Sequence, residues 1–540
     1  MASSAGSVAG SVAGSVAGEP AGETAGCAVA LLQRMRLLHY LLQVWEMIVR
    51  RILFGFVGLV FLLFGFIVYR TVTYEGRAGD LPAVTLPPPP PISAETGAQH
   101  LSEAVRFKTI TYKAGDPQPA AAGPWRALHE WLSKTYPRIH RKLQREVVAE
   151  LSLLYKWQGS DPQLDPIILM AHQDVVPVND GTLADWQGAP FAGEIIDGVV
   201  YGRGTLDDKG SLVAIMEAVE ALLASGFQPQ RTVYVMFGHD EEVSSIGART
   251  MIDLLHARGV RAEMVLDEGF FVIEDSPLTG QPFGFIGVAE KGYVTLKLTA
   301  TGVGGHSSNP PRNSANVRLA RAILALEDHQ MKADFTKPPV SDLFAAAAQD
   351  MGFTSRMALA NLWLFRPLVE AQLAGAGDAM IRTTTAPTMM SGSVKENVLP
   401  QRAVALVNFR LHPNDTFEDL MRHVATVTEE IAGLEIAPRG EGISSAASPV
   451  SPSDDRNFAV LAAVASRVGG GANTGPALVL GGTDARLASK ISDGVYRFQP
   501  SLVSMSEVAG FHGTNERLSV ANVGRMAEGY AQIILAMDAH

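Results

Sequence analysis

The first strong pattern along the chain is an uncharged apolar run, Ile52–Tyr69, reading ILFGFVGLVFLLFGFIVY. Its apolar residues surround the whole circumference of a helix, so it suits lipid better than a soluble core. At about 1.5 Å per residue it is just long enough to cross a bilayer. A cleaved signal peptide is the alternative, but its apolar stretch is usually shorter. Arg34, Arg36, Arg50 and Arg51 precede the run, whereas Arg70 and Arg77 after it are offset by Glu75. The positive-inside rule then predicts a single-pass anchor with a cytoplasmic N-terminus and the remaining chain outside the cytoplasm, periplasmic or lumenal. Residues 31–49 mix apolar and basic positions and predict a membrane-surface helix, so 31–70 is read as one membrane-associated region. Residues 1–30, with the repeat GSVAGSVAGSVAG, predict a disordered tail. Residues 71–92 form a Pro-rich linker, in which Pro87–Pro91 predict an extended spacer.

From about Ser93 helical and strand patterns alternate. Trp125–Tyr136 is amphipathic, Val147–Gly159 predicts a strand pair, and Ile167–Met170 is a short run suited to a buried parallel strand. Leu212, Ile215, Met216, Val219 and Leu222 form one face of a helix. This order predicts an α/β fold, a mostly parallel sheet with helices on both faces. After Gly292 the pattern changes. YVTLKLTA predicts a half-exposed strand. A helix over 314–327, a strand over 402–413, a helix over 417–432 and a strand near Leu434 follow. This is the pattern of a small α+β sandwich inserted into the larger fold.

Composition narrows the chemistry. A chain of 540 residues with 47% hydrophobic content exceeds one ordinary domain. A net charge of −11 without a basic aromatic platform argues against nucleic acid. One cysteine, Cys27, excludes an intrachain disulfide and a cysteine-rich zinc site, so any metal must be held by His, Asp and Glu. Those residues gather at predicted strand ends, where α/β sheets bind ligands. His172 and Asp174 follow one strand; Asp240, Glu241 and Glu242 follow RTVYVMF; Asp267 and Glu268 follow AEMVL. Asp207 and Asp208 sit at a helix entrance, where helix capping and metal binding are both open explanations. His512 lies far downstream beside glycine.

The ordered motifs HxD, GRGxxDDKG, GHDEE, LDEG and FHG resemble the zinc-dependent aminoacylase/carboxypeptidase S family, most of all its N-fatty-acyl-amino-acid synthase/hydrolase branch. The likeness runs from about Glu95 to the C-terminus and includes SPSDD, IRTTTA and NFRLHP. The resemblance implies two zinc ions, one on His172, Asp207 and Asp267 and the other on Asp207, Glu242 and His512, with Asp207 bridging. It implies Glu241 as general base and Asp174 as the group that orients His172. His239 is then structural, Asp240 and Glu268 make local hydrogen bonds, and Asp208 is not a ligand. The peptide after Asp207 is expected to be cis, as in relatives. The family also has an inserted lid, usually a dimerisation surface. This sets domains at 93–291 (catalytic, first part), 292–445 (lid) and 446–540 (catalytic, second part), and implies a possible homodimer. His306, Asn397, Arg410 and Arg486 match substrate-binding positions. The implied activity is a membrane-anchored amidohydrolase that cleaves, and reversibly forms, the amide bond of N-acyl amino acids. The alternative is a zinc carboxypeptidase or dipeptidase. An inactive tethered module is disfavoured because the whole ligand set and Glu241 are present. Leu362, Trp363, Leu364, Phe365, Leu368 and Leu373 are expected to line an acyl groove or to pack a lid core.

Overall fold

The computed structural model describes residues 23–74, 81–440 and 445–539. The low-complexity repeat, most of Tyr74–Leu81 and the expected end of the lid lie outside these residues. Two compact units are present, Met1–Arg70 and Thr71–His540. In the first, residues Glu23–Val72 form one continuous helix rather than a surface helix followed by a separate span. Most of its apolar residues are exposed, Ile67 being buried, and it is the one described helix long and apolar enough to cross a membrane.

The second unit is built on a ten-stranded sheet. Its centre is parallel: Ile167–His172 lies between Val233–Gly238 and Met264–Asp267, and Val495–Arg497 pairs with Met264–Asp267. The margin is antiparallel, with Gln144–Val148 and Ser152–Trp157 forming the expected hairpin against Val233–Gly238. Central strands are fully buried. Their alternate residues feed two cores, Leu169, Val235 and Leu266 on one face and Ile168, Met236 and Val265 on the other. The helix Lys209–Ala224 covers the first face with Leu212, Ile215, Met216, Val219 and Leu222, while Ile246–Ala257 covers the second. This is a mixed α/β fold with a mainly parallel central sheet.

A second, antiparallel sheet runs in the order Thr384–Ser391, Arg402–Leu411, Gly292–Thr301, Leu434–Pro438. Helices Ala315–Asp328 and Phe417–Thr428 pack on it. Gly292–Thr301 is central and nearly all buried, with only Lys297 fully exposed, so it is less open than its alternation suggested. Two segments depart from the sequence reading. Phe335, Leu343, Phe344, Met351 and Leu359 join the core of the large sheet, not that of the small one. The proline-rich segment is an ordered strap and not a free spacer. Leu81, Val84, Leu86 and Ile92 pack on the large core, and the Pro87 carbonyl accepts a hydrogen bond from Gln532 Nε2 (3.0 Å). The apolar residues between its prolines supply the reason.

Candidate metal centre

The loop Gly202–Asp208 turns out of the sheet into the helix Lys209–Ala224. Gly204 has φ +92°, a conformation that favours glycine, and the Asp207–Asp208 peptide is cis as expected. One buried carboxylate holds this loop. Glu516 accepts from the backbone N–H of Gly204 (3.0 Å), Leu206 (2.8 Å) and Asp207 (3.0 Å). It also pairs with Arg203 Nη1 at 2.6 Å, and Arg203 Nη2 donates to the carbonyls of His512 (3.2 Å) and Gly513 (3.0 Å). The GRG loop and the histidine loop are thereby fixed to each other. Gly238, at the end of its strand, leaves room for Asp484, because a Cβ there would lie 2.5 Å from Asp484 Oδ2.

Within this frame His172 Nε2 is 2.9 Å from Asp207 Oδ1, and His512 Nε2 is 2.8 Å from Asp207 Oδ2 and 3.2 Å from Glu242 Oε2. The donor atoms of His172, Asp207 and Glu242 lie within 4.8 Å of one another, as do those of His172, Asp208 and Glu268. Asp174 presents its backbone carbonyl to His172 Nδ1 (2.9 Å) and its carboxylate to the N–H groups of Glu241 (3.0 Å) and Glu242 (3.2 Å). It therefore orients the histidine and also shapes the turn that carries both glutamates.

Asp267 does not join the cluster. Its Oδ2 accepts from the Ala485 N–H at 2.8 Å, while Glu268 Oε1 stands 3.2 Å from His172 Nε2. The strand ends at Asp267, so Glu268 lies in the turn beyond it, where alternation no longer fixes the direction of a side chain. Asp240 caps the next helix through the N–H groups of Ile246 and Gly247, and His239 bonds Ser152, both local roles. Glu516 and Arg203, which hold the loops together, were not singled out by motif reading, and the approach of Glu268 and Asp208 to His172 was not expected from it.

The electrostatics call for a cation. Burial raises the carboxyl pKa of Asp208, Glu241, Glu242 and Glu268, and neighbouring acids push it further: Asp207 at each of them, Asp484 and Glu242 at Glu241. Burial opposes charge on His172, yet Glu268, Asp174 and Asp207 hold its pKa well above the ordinary value. Buried oxygens of Asp208 (Oδ2), Glu242 (Oε1) and Glu268 (Oε2) have no hydrogen-bond partner. Buried, unpartnered carboxylate oxygens beside two imidazoles fit a metal with oxygen and nitrogen ligands, and fit no neutral occupant as well.

Comparison with known proteins decides the family. Residues 168–536 match the family described as Peptidase family M20/M25/M40. The chain belongs to the M20 peptidase family. It is 36% identical over 447 residues to the N-fatty-acyl-amino acid synthase/hydrolase PM20D1 of Xenopus tropicalis, covering 81% of this chain and 85% of that protein. It is 35% identical over 443 residues to the probable carboxypeptidase S-like 2 of Dictyostelium discoideum, covering 81% and 84%. The fold matches the M20 family metallo-carboxypeptidase Sso-CP2 of Sulfolobus solfataricus with a TM-score of 0.56 at 17% identity, covering 82% and 99% of the two chains. As an M20 member the chain is a metal-dependent hydrolase of amide or peptide bonds.

The four residues expected to bind substrate fall into two groups. His306, exposed, pairs in a short ladder with Val398, and the adjacent Ser307 N–H donates to the Asn397 carbonyl (3.1 Å), so His306 and Asn397 are neighbours at a separate two-stranded ladder. Arg410 lies over the Tyr293 ring at 4.7 Å, and Arg486 Nη2 is 3.4 Å from Ser245 Oγ. Burial lowers the Arg410 pKa, and the charge of Arg486 lowers it further, which makes the two arginines electrostatic neighbours.

Proposed function

We propose that this M20 enzyme is a membrane-anchored, two-zinc amidohydrolase that cleaves and re-forms the amide bond of N-acyl amino acids, with fatty-acyl chains as preferred substrates. The observation that carries the two-metal reading is Asp207, whose two oxygens face two different histidines at 2.9 and 2.8 Å. In this reading His172, Asp207 and Glu268 would hold one ion, and Asp207, Glu242 and His512 the other. Such a pair would supply Lewis acidity to the scissile carbonyl and to the attacking water. Glu241, beside the ligand Glu242, takes the proton of that water and returns it to the leaving nitrogen. His306, from the two-stranded ladder, stabilises the oxyanion, with Asn397 beside it. Arg410 and Arg486 share the carboxylate of the amino acid, whose charge relieves their mutual repulsion.

The acyl preference rests on likeness to relatives named N-fatty-acyl-amino acid synthase/hydrolase. Each methylene buried adds about 0.8 kcal/mol. Catalytic efficiency should therefore rise from acetyl- to oleoyl-amino acids, and Glu241→Gln should abolish turnover at full zinc content. Faster cleavage of dipeptides than of either acyl series would replace this reading with the carboxypeptidase one.

A further inference from the structure

The segment Lys108–Tyr112 belongs to none of the motifs that mark the site. It alternates in exposure: Lys108 and Tyr112 face solvent, while Thr109 and Thr111 are buried. Residues two apart in an extended chain share a side. The buried side of this segment is thus made of two hydroxyls, where apolar side chains are the ordinary choice. A buried hydroxyl costs free energy unless it is hydrogen-bonded. Both run into the residues that follow the strand Ile167–His172. Thr109 Oγ1 donates to the Gln173 carbonyl (2.6 Å), and Thr111 Oγ1 donates to Asp174 Oδ2 (2.8 Å). The backbone takes the same course, with the Val175 N–H on the Thr109 carbonyl (2.9 Å) and the Thr111 N–H on the Val175 carbonyl (3.2 Å). Buried Lys209, next to Asp208, adds a bond from Nζ to the Phe107 carbonyl (2.5 Å). The segment is a bracket clamped on the strand end that carries His172.

What Thr111 touches gives the contact its meaning. Asp174 has no exposed surface, so protein donors fix its carboxylate. Its Oδ1 accepts from the Glu241 N–H (3.0 Å) and lies 3.4 Å from His172 Nδ1. Its Oδ2 accepts from the Glu242 N–H (3.2 Å) and from the Thr111 hydroxyl, whose 2.8 Å bond is the shortest of the set. The torsion that orients an aspartate carboxylate is intrinsically broad, so the plane of this one is set by its partners. Without the hydroxyl, Oδ2 keeps only the longer bond to Glu242. A carboxylate that turns then shifts the support of His172 and of the Glu241–Glu242 turn together.

We propose that Thr111 is a positioning residue of the hydrolase: its hydroxyl fixes the Asp174 carboxylate and, through it, the placement of His172 relative to Glu241 and Glu242. This rests on the reading of His172 and Glu242 as metal ligands and of Glu241 as the base. The test uses the whole chain and measures two things on each variant. One is zinc affinity, by competition with a chromophoric chelator; the other is kcat and KM on an N-acyl amino acid or, where it is cleaved faster, a dipeptide. Thr111→Val keeps the branched shape and removes the hydroxyl. Zinc affinity and kcat should each fall about tenfold, the lower end of the range for lost supporting partners of ligands, with KM little changed. Thr111→Ser keeps the hydroxyl without the methyl and should recover most of both. If Thr111 acts through Asp174, Thr111→Val should add nothing further in an Asp174→Asn chain, because losses at coupled neighbours are not additive. Should Thr111→Val fail to fold, Thr111→Ala takes its place in the same comparisons. A serine variant as impaired as the valine one, or losses that multiply in the double variant, would make Thr111 a packing residue and overturn the proposal. Glu241→Gln, measured alongside, separates the two readings. An active Glu241→Gln enzyme overturns the proposed function, whereas parental behaviour of Thr111→Val beside an inactive Glu241→Gln overturns the positioning role alone.

Discussion

At the scale of single residues the candidate site depends on Glu516 as much as on the clustered histidines and acids. Its carboxylate gathers three backbone N–H groups and Arg203, so the loop bearing Asp207 is held by charge rather than by apolar packing. Glu516→Gln keeps the shape but leaves Arg203 buried without a counter-charge, a change that costs about 3–5 kcal/mol when a buried pair is broken. Metal affinity should fall about 10–100-fold, the range seen when supporting partners of ligands are lost. Titration with zinc checks this, and unchanged affinity would remove Glu516 from the positioning role. No motif reading singled out Glu516, because its function is a set of backbone contacts that the one-dimensional pattern does not encode. His172, Asp207, Glu242 and His512 were legible, because each follows a strand or opens a helix in a motif of fixed spacing.

At the scale of elements, the end of a strand separates two adjacent acids. The strand Met264–Asp267 sends Asp267 to the Ala485 N–H and leaves Glu268 facing His172. Glu268→Gln should therefore lower bound zinc by about one ion per chain, while Asp267→Asn, which retains an oxygen for the Ala485 N–H, should keep both. Metal analysis of the purified variants checks this, and the reverse result would return Asp267 to the ligand set. The LDEG motif marks the place but not which acid reaches His172, because Glu268 lies past the end of the strand, where the turn and not the alternation sets its direction. The same limit applies to the proline-rich strap. Five consecutive prolines predict extension correctly, but whether an extended segment stands free depends on whether Leu81, Val84 and Leu86 find a surface.

At the scale of the whole molecule, the acid cluster links metal, protons and stability. Burial and neighbouring acids raise Asp484 to about 7, and burial with Glu290 nearby raises Asp267 to about 6. An acid whose folded pKa exceeds its unfolded value binds protons preferentially in the folded state. Its stabilising effect is complete below the unfolded pKa and is lost as pH rises through the folded one. The metal-free chain should thus gain stability as pH falls from about 7 toward about 4, by on the order of a few kcal/mol for shifts of this size. Metal-loaded protein should do the opposite, since protons compete for its ligands. The gap in Tm between zinc-loaded and chelated protein should narrow between pH 7.5 and pH 5.5; a gap that widens would contradict the cluster's electrostatics. The α/β class and the presence of a second α+β layer were legible from periodicity. The assignment of Phe335–Leu359 to the larger core was not, because apolar spacing shows that a helix is buried without showing against what.

The Arg203–Glu516 contact closes across 313 residues. A contact so distant in sequence is entropically expensive until the intervening sheet has brought its ends together, so it belongs to the last steps of folding. Partly folded chains then carry every ligand motif and yet possess no chelating pocket. The metal on which an M20 enzyme depends then arrives as a seal on a finished fold and not as a template for it, the reverse of small metal-nucleated domains, and a trapped intermediate gains no hydrolytic activity from free metal.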